Sequence, residues 1–151
     1  MSKKILWLDN DRAQVNPYLE TLNEEGYLAE VVTTVTEAES LLNSSRYDLF
    51  ILDVMIPTKA SDEEKRFPPD RTEHGRKLGL YFFLEYKEKF EGDNTQILVL
   101  TQRIDLDIRD EFIKAGLPSE QFCTKFALRD VEVFLKKING LIQSNHEKHD
   151  R

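Results

Sequence analysis

Cysteine is nearly missing from this chain: Cys123 stands alone, so no internal disulfide can hold the fold and its core must come from apolar packing. Long hydrophobic runs are missing too. None approaches the ~20 residues that cross a bilayer, and the start lacks the basic-then-apolar pattern of a signal peptide. The expectation is a soluble cytoplasmic protein with no membrane partner. Positive charge is scarce, with 21 Lys and Arg against 28 Asp and Glu and a formal net charge of -7. Binding to a nucleic-acid backbone needs clustered cations, so nucleic acid is not an expected partner. There is no internal repeat and no low-complexity tract.

What is present suits one domain. The 151 residues are 40% hydrophobic, enough for a single core and too short for a sizeable second domain. We expect one domain over 1–145 and a polar, frayed tail over 146–151. Strand-like apolar runs alternate with helical patterns five times, which predicts a doubly wound α/β fold, a parallel sheet covered by helices on both faces. The strands are expected at Lys4 to Leu8, Leu28 to Val32, Asp48 to Asp53, Gln96 to Thr101 and Gln121 to Lys125. The first helix carries Val15, Leu19 and Leu22, with Pro17 in its first turn and Gly26 at its end. A capping box, Thr36 to Glu39, is expected to open the second helix. The third begins near Gly75 and is unusually apolar, the fourth ends at Gly116, and the last carries Val131, Phe134, Leu135, Ile138 and Ile142.

One connection breaks the rhythm. Thr58 to His74, with Pro68 and Pro69 amid mixed charges, is far longer than the ~2 to 6 residues usual between strand and helix, and reads as an insertion that decorates the surface or docks a partner.

Ligands of open parallel sheets bind beyond the carboxyl ends of the strands. Strand one ends in Asp9, Asn10 and Asp11, strand three in Asp53, strand four in Thr101 and strand five in Lys125. Each has an ordinary reading alone: a helix cap, a β-favouring residue, a surface lysine. Neighbouring strands lie ~4.8 Å apart, so adjacent ends can bring two carboxylates, a hydroxyl and an ammonium to one spot. A carboxylate can attack phosphorus, Mg²⁺ takes oxygen ligands with phosphate and water, and Lys and Thr can meet phosphoryl oxygens.

In order, "ILWLDND", "LFILDVMIP", "ILVLT" and "FCTKF" resemble the receiver domains of two-component response regulators, over nearly the whole chain. The resemblance implies a flavodoxin-like (βα)5 fold with strand order 2-1-3-4-5, here with the 58–74 insertion between strand 3 and helix 3. It implies phosphorelay signalling rather than enzymatic turnover: Asp53 would accept a phosphoryl group from a histidine kinase or phosphotransfer protein. Mg²⁺ would be held by Asp9, Asn10, Asp53 and the Met55 carbonyl. Thr101 would be the switch hydroxyl, Lys125 the phosphoryl-binding lysine, Phe122 the rotating aromatic and Gly75 the glycine opening helix three. With no output domain after the last helix, a stand-alone receiver is expected, acting on a downstream protein target. Helix 4, strand 5 and helix 5 would form its docking face, with a homodimer among the modes that face allows.

Three positions depart from the family pattern. Asn10 replaces a carboxylate and should weaken Mg²⁺ binding without abolishing it. Gln102 replaces a small residue beside the acceptor, and Phe126 replaces a proline. They leave open an atypical receiver that works as a phosphorylation-independent interaction module. A haloacid-dehalogenase-like phosphohydrolase, with Asp9 as nucleophile and Asp11 as acid, fits the first motif. It leaves Asp53 without a role, and Asp130 alone would have to complete its metal site. His74, His146 and His149 lack metal-ligand spacing, and Cys123 has no base partner in the sequence.

Overall fold

A computed structural model describes residues 2–56, 77–102 and 105–150, with side chains to 144. Among the described residues, five strands form one parallel sheet in the order β2-β1-β3-β4-β5. They are β1 (Lys4–Leu8), β2 (Leu28–Val32), β3 (Leu49–Leu52), β4 (Gln96–Thr101) and β5 (Phe122–Thr124). The helices are α1 (Arg12–Glu24), α2 (Val35–Ser44), α3 (Leu78–Asp93), α4 (Leu106–Lys114) and α5 (Val131–Asp150), with a 3-10 turn at Ser119–Gln121 before β5. The insertion expected at 58–74, and Gly75 with it, lies outside the described residues.

Alternation along each strand divides the core in two. Leu6, Leu8, Phe50, Leu52, Ile97 and Val99 face one way, under α2, α3 and α4. Ile5, Trp7, Leu49, Ile51, Leu98 and Leu100 face the other, against Val15 and Leu22 of α1 and Phe134 and Ile138 of α5. Both faces are buried, which is why the strands read as continuous apolar runs rather than alternating ones. The aromatic content of α3 goes into this core: Phe50 packs on Phe82 and Phe90 at ring separations of 5.8 and 5.3 Å.

Helix ends follow local chemistry. Gly26 (φ 97°) and Gly116 (φ 110°) take the left-handed position after α1 and α4. Each donates to the carbonyl three residues back, and the next residue donates to the one five back. That double closure needs a backbone that side chains resist. The box opening α2 is Thr34 with Glu37, not Thr36 with Glu39: the Glu37 amide donates to Thr34 Oγ1 at 3.2 Å. In this register Val35 is the first helical residue, and it is completely buried. Pro17 sits in the second turn of α1 rather than the first, so its missing N–H removes one helical bond. α5 continues to Asp150, so the expected tail is helical up to that residue; no Gly or Pro follows Gly140 to stop it.

Candidate functional site

The sheet places the chemistry by register. Leu8, Leu52, Val99 and Phe122 stand in one row across β1, β3, β4 and β5. The ladder runs one residue further on two strands, where the Asp53 amide donates to the Leu8 carbonyl at 3.0 Å and the Asp9 amide to that of Val32 at 3.1 Å. Asp9 and Asp53 therefore emerge side by side at the carboxyl edge. Both are buried, Asp9 completely.

Lys125 joins them. Its Nζ lies 2.7 Å from Asp9 Oδ2 and 3.2 Å from Asp53 Oδ2. Its backbone is pinned by a 2.7 Å bond from its amide to the Thr101 carbonyl. The contact with Asp9 is an ion pair off the hydrogen-bond line, so Asp9 Oδ2 has charge compensation but no aligned donor. Asp53 is also fixed from its own loop: Met55 N donates to Oδ1 at 3.3 Å, while Val54 and Ile56 are buried and Met55 faces outward. Thr101 is buried at the end of β4.

The electrostatics follow from this crowding. Burial pushes the Asp53 carboxyl up from 3.8 to about 6; Lys125 pulls it back in part, and Asp9 pushes it up further. Burial works against the Lys125 charge, but the carboxylates, Asp53 above all, outweigh it and hold that ammonium above its usual range. Near neutrality the site therefore holds an ionised carboxylate beside a captive cation.

The two other acids of the region are structural. Asp11 caps α1, accepting from Gln14 N at 3.1 Å, and Asp130 caps α5, accepting from Glu132 N at 2.9 Å. These are the general acid and the lone candidate metal ligand of the phosphohydrolase reading, and both are committed to helix ends. Asn10, Gln102 and Phe126 are exposed, and Phe122 packs inward against Phe112 with ring centroids 5.5 Å apart. Cys123 donates to the Glu120 carbonyl at 3.4 Å, and burial pushes its thiol up.

Sequence reasoning missed two residues. Gln14 forms a D-x-x-Q capping box with Asp11, but its return arm is not used. The Asp11 amide is already taken by Asp9 Oδ1 at 2.9 Å, and Gln14 Oε1 instead accepts from Lys125 Nζ at 3.2 Å. Gly79 is the glycine that meets the acceptor loop. Its amide donates to the Val54 carbonyl at 2.9 Å, and a Cβ there would stand 2.4 Å from the Asp53 carbonyl oxygen. The spacing of two glycines, at 75 and 79, was the available signal.

The fold has solved counterparts. The CheY-like response regulator receiver domain protein from Methanospirillum hungatei superposes with a TM-score of 0.74 at 17% identity, over 98% of this chain and 99% of that one. "Response regulator MprA" of Mycobacterium ulcerans is 31% identical over 99% of this chain and 54% of its own length. The chain has the fold of a receiver domain. The beryllofluoride-activated NtrC4 receiver domain dimer matches it too, with a TM-score of 0.70 at 22% identity over 94% of this chain and 98% of that one. The chain spans about half the length of the curated relatives it matches. No family model matches it. Among the described residues, no helix is long and apolar enough to cross a membrane.

Proposed function

We propose that this receiver accepts a phosphoryl group on Asp53 and signals through the surface around it. The observation that carries the proposal is Lys125 Nζ at 3.2 Å from Asp53 and 2.7 Å from Asp9. In the transfer, an Asp53 carboxylate oxygen forms a bond to phosphorus as the bond from phosphorus to the donor breaks. The electron pair of that bond leaves with the donor, and Asp53 becomes an acyl phosphate. Lys125 supplies positive charge to the transferring oxygens, and Gln14 helps to keep its ammonium on station.

The donor set suits a hard cation: two buried carboxylates, one with an oxygen lacking an aligned donor, and no sulfur or imidazole. Among the described residues no group of three acids, histidines or cysteines is poised to hold a metal, consistent with an amide at Asn10. Asp9, Asn10, Asp53 and the Met55 carbonyl are the proposed Mg²⁺ holders. The ion would neutralise phosphoryl oxygens during transfer.

The phosphoryl donor is a histidine kinase or phosphotransfer protein. A new charge of roughly -2 on Asp53 draws Lys125 and the Thr101 hydroxyl toward it and releases Lys125 from Asp9. Leu106 at the start of α4, Phe126 beyond β5, and Val131 and Val133 at the start of α5 are exposed apolar side chains. They support this face as the docking surface for a downstream protein or a second copy.

One observation favours a second reading, a phosphorylation-independent interaction module. Lys125 lies within ion-pair distance of both buried carboxylates, so the chain's own side chains balance the charge of the site. A small phosphodonor such as acetyl phosphate, with Mg²⁺ and mass detection, separates the two. Modification of wild type and none of Asp53→Ala supports the phosphoryl acceptor, while an unmodified wild type supports the module.

A further inference from the structure

Among the described residues, three side-chain oxygens meet the Lys125 ammonium, and they do not hold it alike. An ammonium only donates, so the Gln14 atom that faces it is the carboxamide oxygen. Asp53 Oδ2 and Gln14 Oε1, each at 3.2 Å, receive aligned hydrogen bonds. Asp9 Oδ2 is nearer, at 2.7 Å, yet it lies off the hydrogen-bond line and has no aligned donor. The shortest contact is thus the one without a hydrogen bond. Coulomb attraction by itself would bring an N–H squarely onto the completely buried Asp9, so another group turns it aside.

Gln14 is the side chain placed to do so. Its amide is fixed on the Asp11 cap at 3.1 Å, and Asp9 Oδ1 has taken, at 2.9 Å, the Asp11 amide that a capping glutamine would serve. The carboxamide is left free to reach across to the residue after β5. One helical turn further along α1, the Tyr18 hydroxyl donates to the Arg129 carbonyl at 2.7 Å. Gln14 and Tyr18 therefore meet Lys125 and Arg129 in two rungs, and the second keeps α1 at the distance the first spans. Gln14 is exposed, whereas the Lys125 side chain is only 15% so. Packing does not call for the Gln14 contact.

We propose that Gln14 is a positioning residue for Lys125: it anchors the ammonium beside Asp53 and keeps it from closing a hydrogen bond on Asp9. The inference rests on the reading of Asp53 as phosphoryl acceptor and Asp9 as a holder of the cation, and adds how the two tasks are kept apart. A cation that takes Asp9 Oδ2 has to displace Lys125. With its aligned bonds on Asp53 and Gln14, the ammonium gives up only the unaligned contact and stays where the transferring oxygens need its charge. The oxygen of Gln14 is uncharged, so it anchors a cation without adding a third carboxylate to the site. Without that anchor, the freed N–H turns to Asp9 Oδ2, and ion and lysine compete for one oxygen.

The test is the Mg²⁺ affinity of the full, unphosphorylated chain by calorimetry. Gln14→Met keeps the length without an oxygen, and Gln14→Asn keeps the amide but is one methylene short. Each should bind Mg²⁺ about fivefold more weakly, for want of one hydrogen bond to a charged group. Transfer from acetyl phosphate should slow in both at low Mg²⁺ and recover as Mg²⁺ saturates. Gln14→Glu, with the same reach and an oxygen to accept, should bind at least as tightly as wild type. In a Lys125→Ala background Gln14→Met should change nothing, since no ammonium is left to position; if that background does not fold, the contrast of Met with Glu decides. A wild type that neither binds Mg²⁺ nor takes a phosphoryl group defeats the acceptor reading, and a crystal structure of Gln14→Met then judges this one separately: Lys125 Nζ should align on Asp9 Oδ2. Wild-type affinity in Gln14→Met, an equal loss in Gln14→Glu, a loss that persists in Lys125→Ala, or a lysine that stays in place in that crystal overturns the proposal.

Discussion

Gly79 stands against the backbone of Asp53: a methyl group on it would lie 2.4 Å from the Asp53 carbonyl oxygen and 2.7 Å from the Val54 α-carbon. The first turn of α3 thus sets the height of the acceptor loop above the sheet. Gly79→Ala should push that loop away, because the obstacle is backbone and cannot rotate aside. We expect a stability loss of about 1–3 kcal/mol in denaturant unfolding and slower phosphoryl transfer to Asp53. A variant with wild-type stability and wild-type transfer would show that the contact relaxes freely.

The Asp53 carboxyl is raised to about 6, so its nucleophilic form grows as pH rises through 6. Phosphodonor transfer should climb through that region and level off above pH 7. Stability should run the other way. The folded state holds the Asp53 proton more tightly than the unfolded chain, so stability falls as pH rises from about 4 to about 6. The whole effect is on the order of 2–3 kcal/mol. Asp53→Asn should therefore melt higher than wild type at pH 7.5, with the gap closing below pH 4. A gap that persists at low pH would place its origin elsewhere.

Lys125→Ala removes the one cation contacting both buried carboxylates among the described residues. Its folded pKa is raised, so its contribution is present at neutral pH and is lost only as pH rises through the lysine range. The variant should lose roughly 2–4 kcal/mol near pH 8 and less near pH 5, where one carboxyl can protonate. The midpoint of the transfer profile should move above pH 6, measured with the same phosphodonor.

Asn10→Asp restores a formal charge at the exposed end of β1. Screening by water and salt limits the gain, so Mg²⁺ binding by calorimetry should tighten about three- to tenfold. Unchanged affinity would mean that the cation is held elsewhere.

Much of this was legible in the sequence because both sheet faces are covered, and strands buried on two sides appear as the apolar runs "KILWL", "LFIL" and "QILVLT". The residues that close those runs then fall together by topology alone, and Asp9, Asp53 and Lys125 meet as expected. Choices between near-equal local patterns were less legible. Thr34 and Thr36 both begin a T-x-x-E box, and the structure caps the helix with Thr34. Gln14 looks like half of a cap until Asp9 takes the amide it would have served. Gly79 carries no mark of its role in the sequence until tertiary packing brings it onto Asp53.

The central claim is that Asp53 is a phosphoryl acceptor with Lys125 as its counter-charge. Intact-mass measurement after incubation with acetyl phosphate and Mg²⁺, followed by peptide mapping, tests it most directly. The account predicts addition of one phosphoryl group at Asp53 in wild type and none in Asp53→Ala. An unmodified wild type, or a phosphoryl group mapped to Asp9, would contradict it.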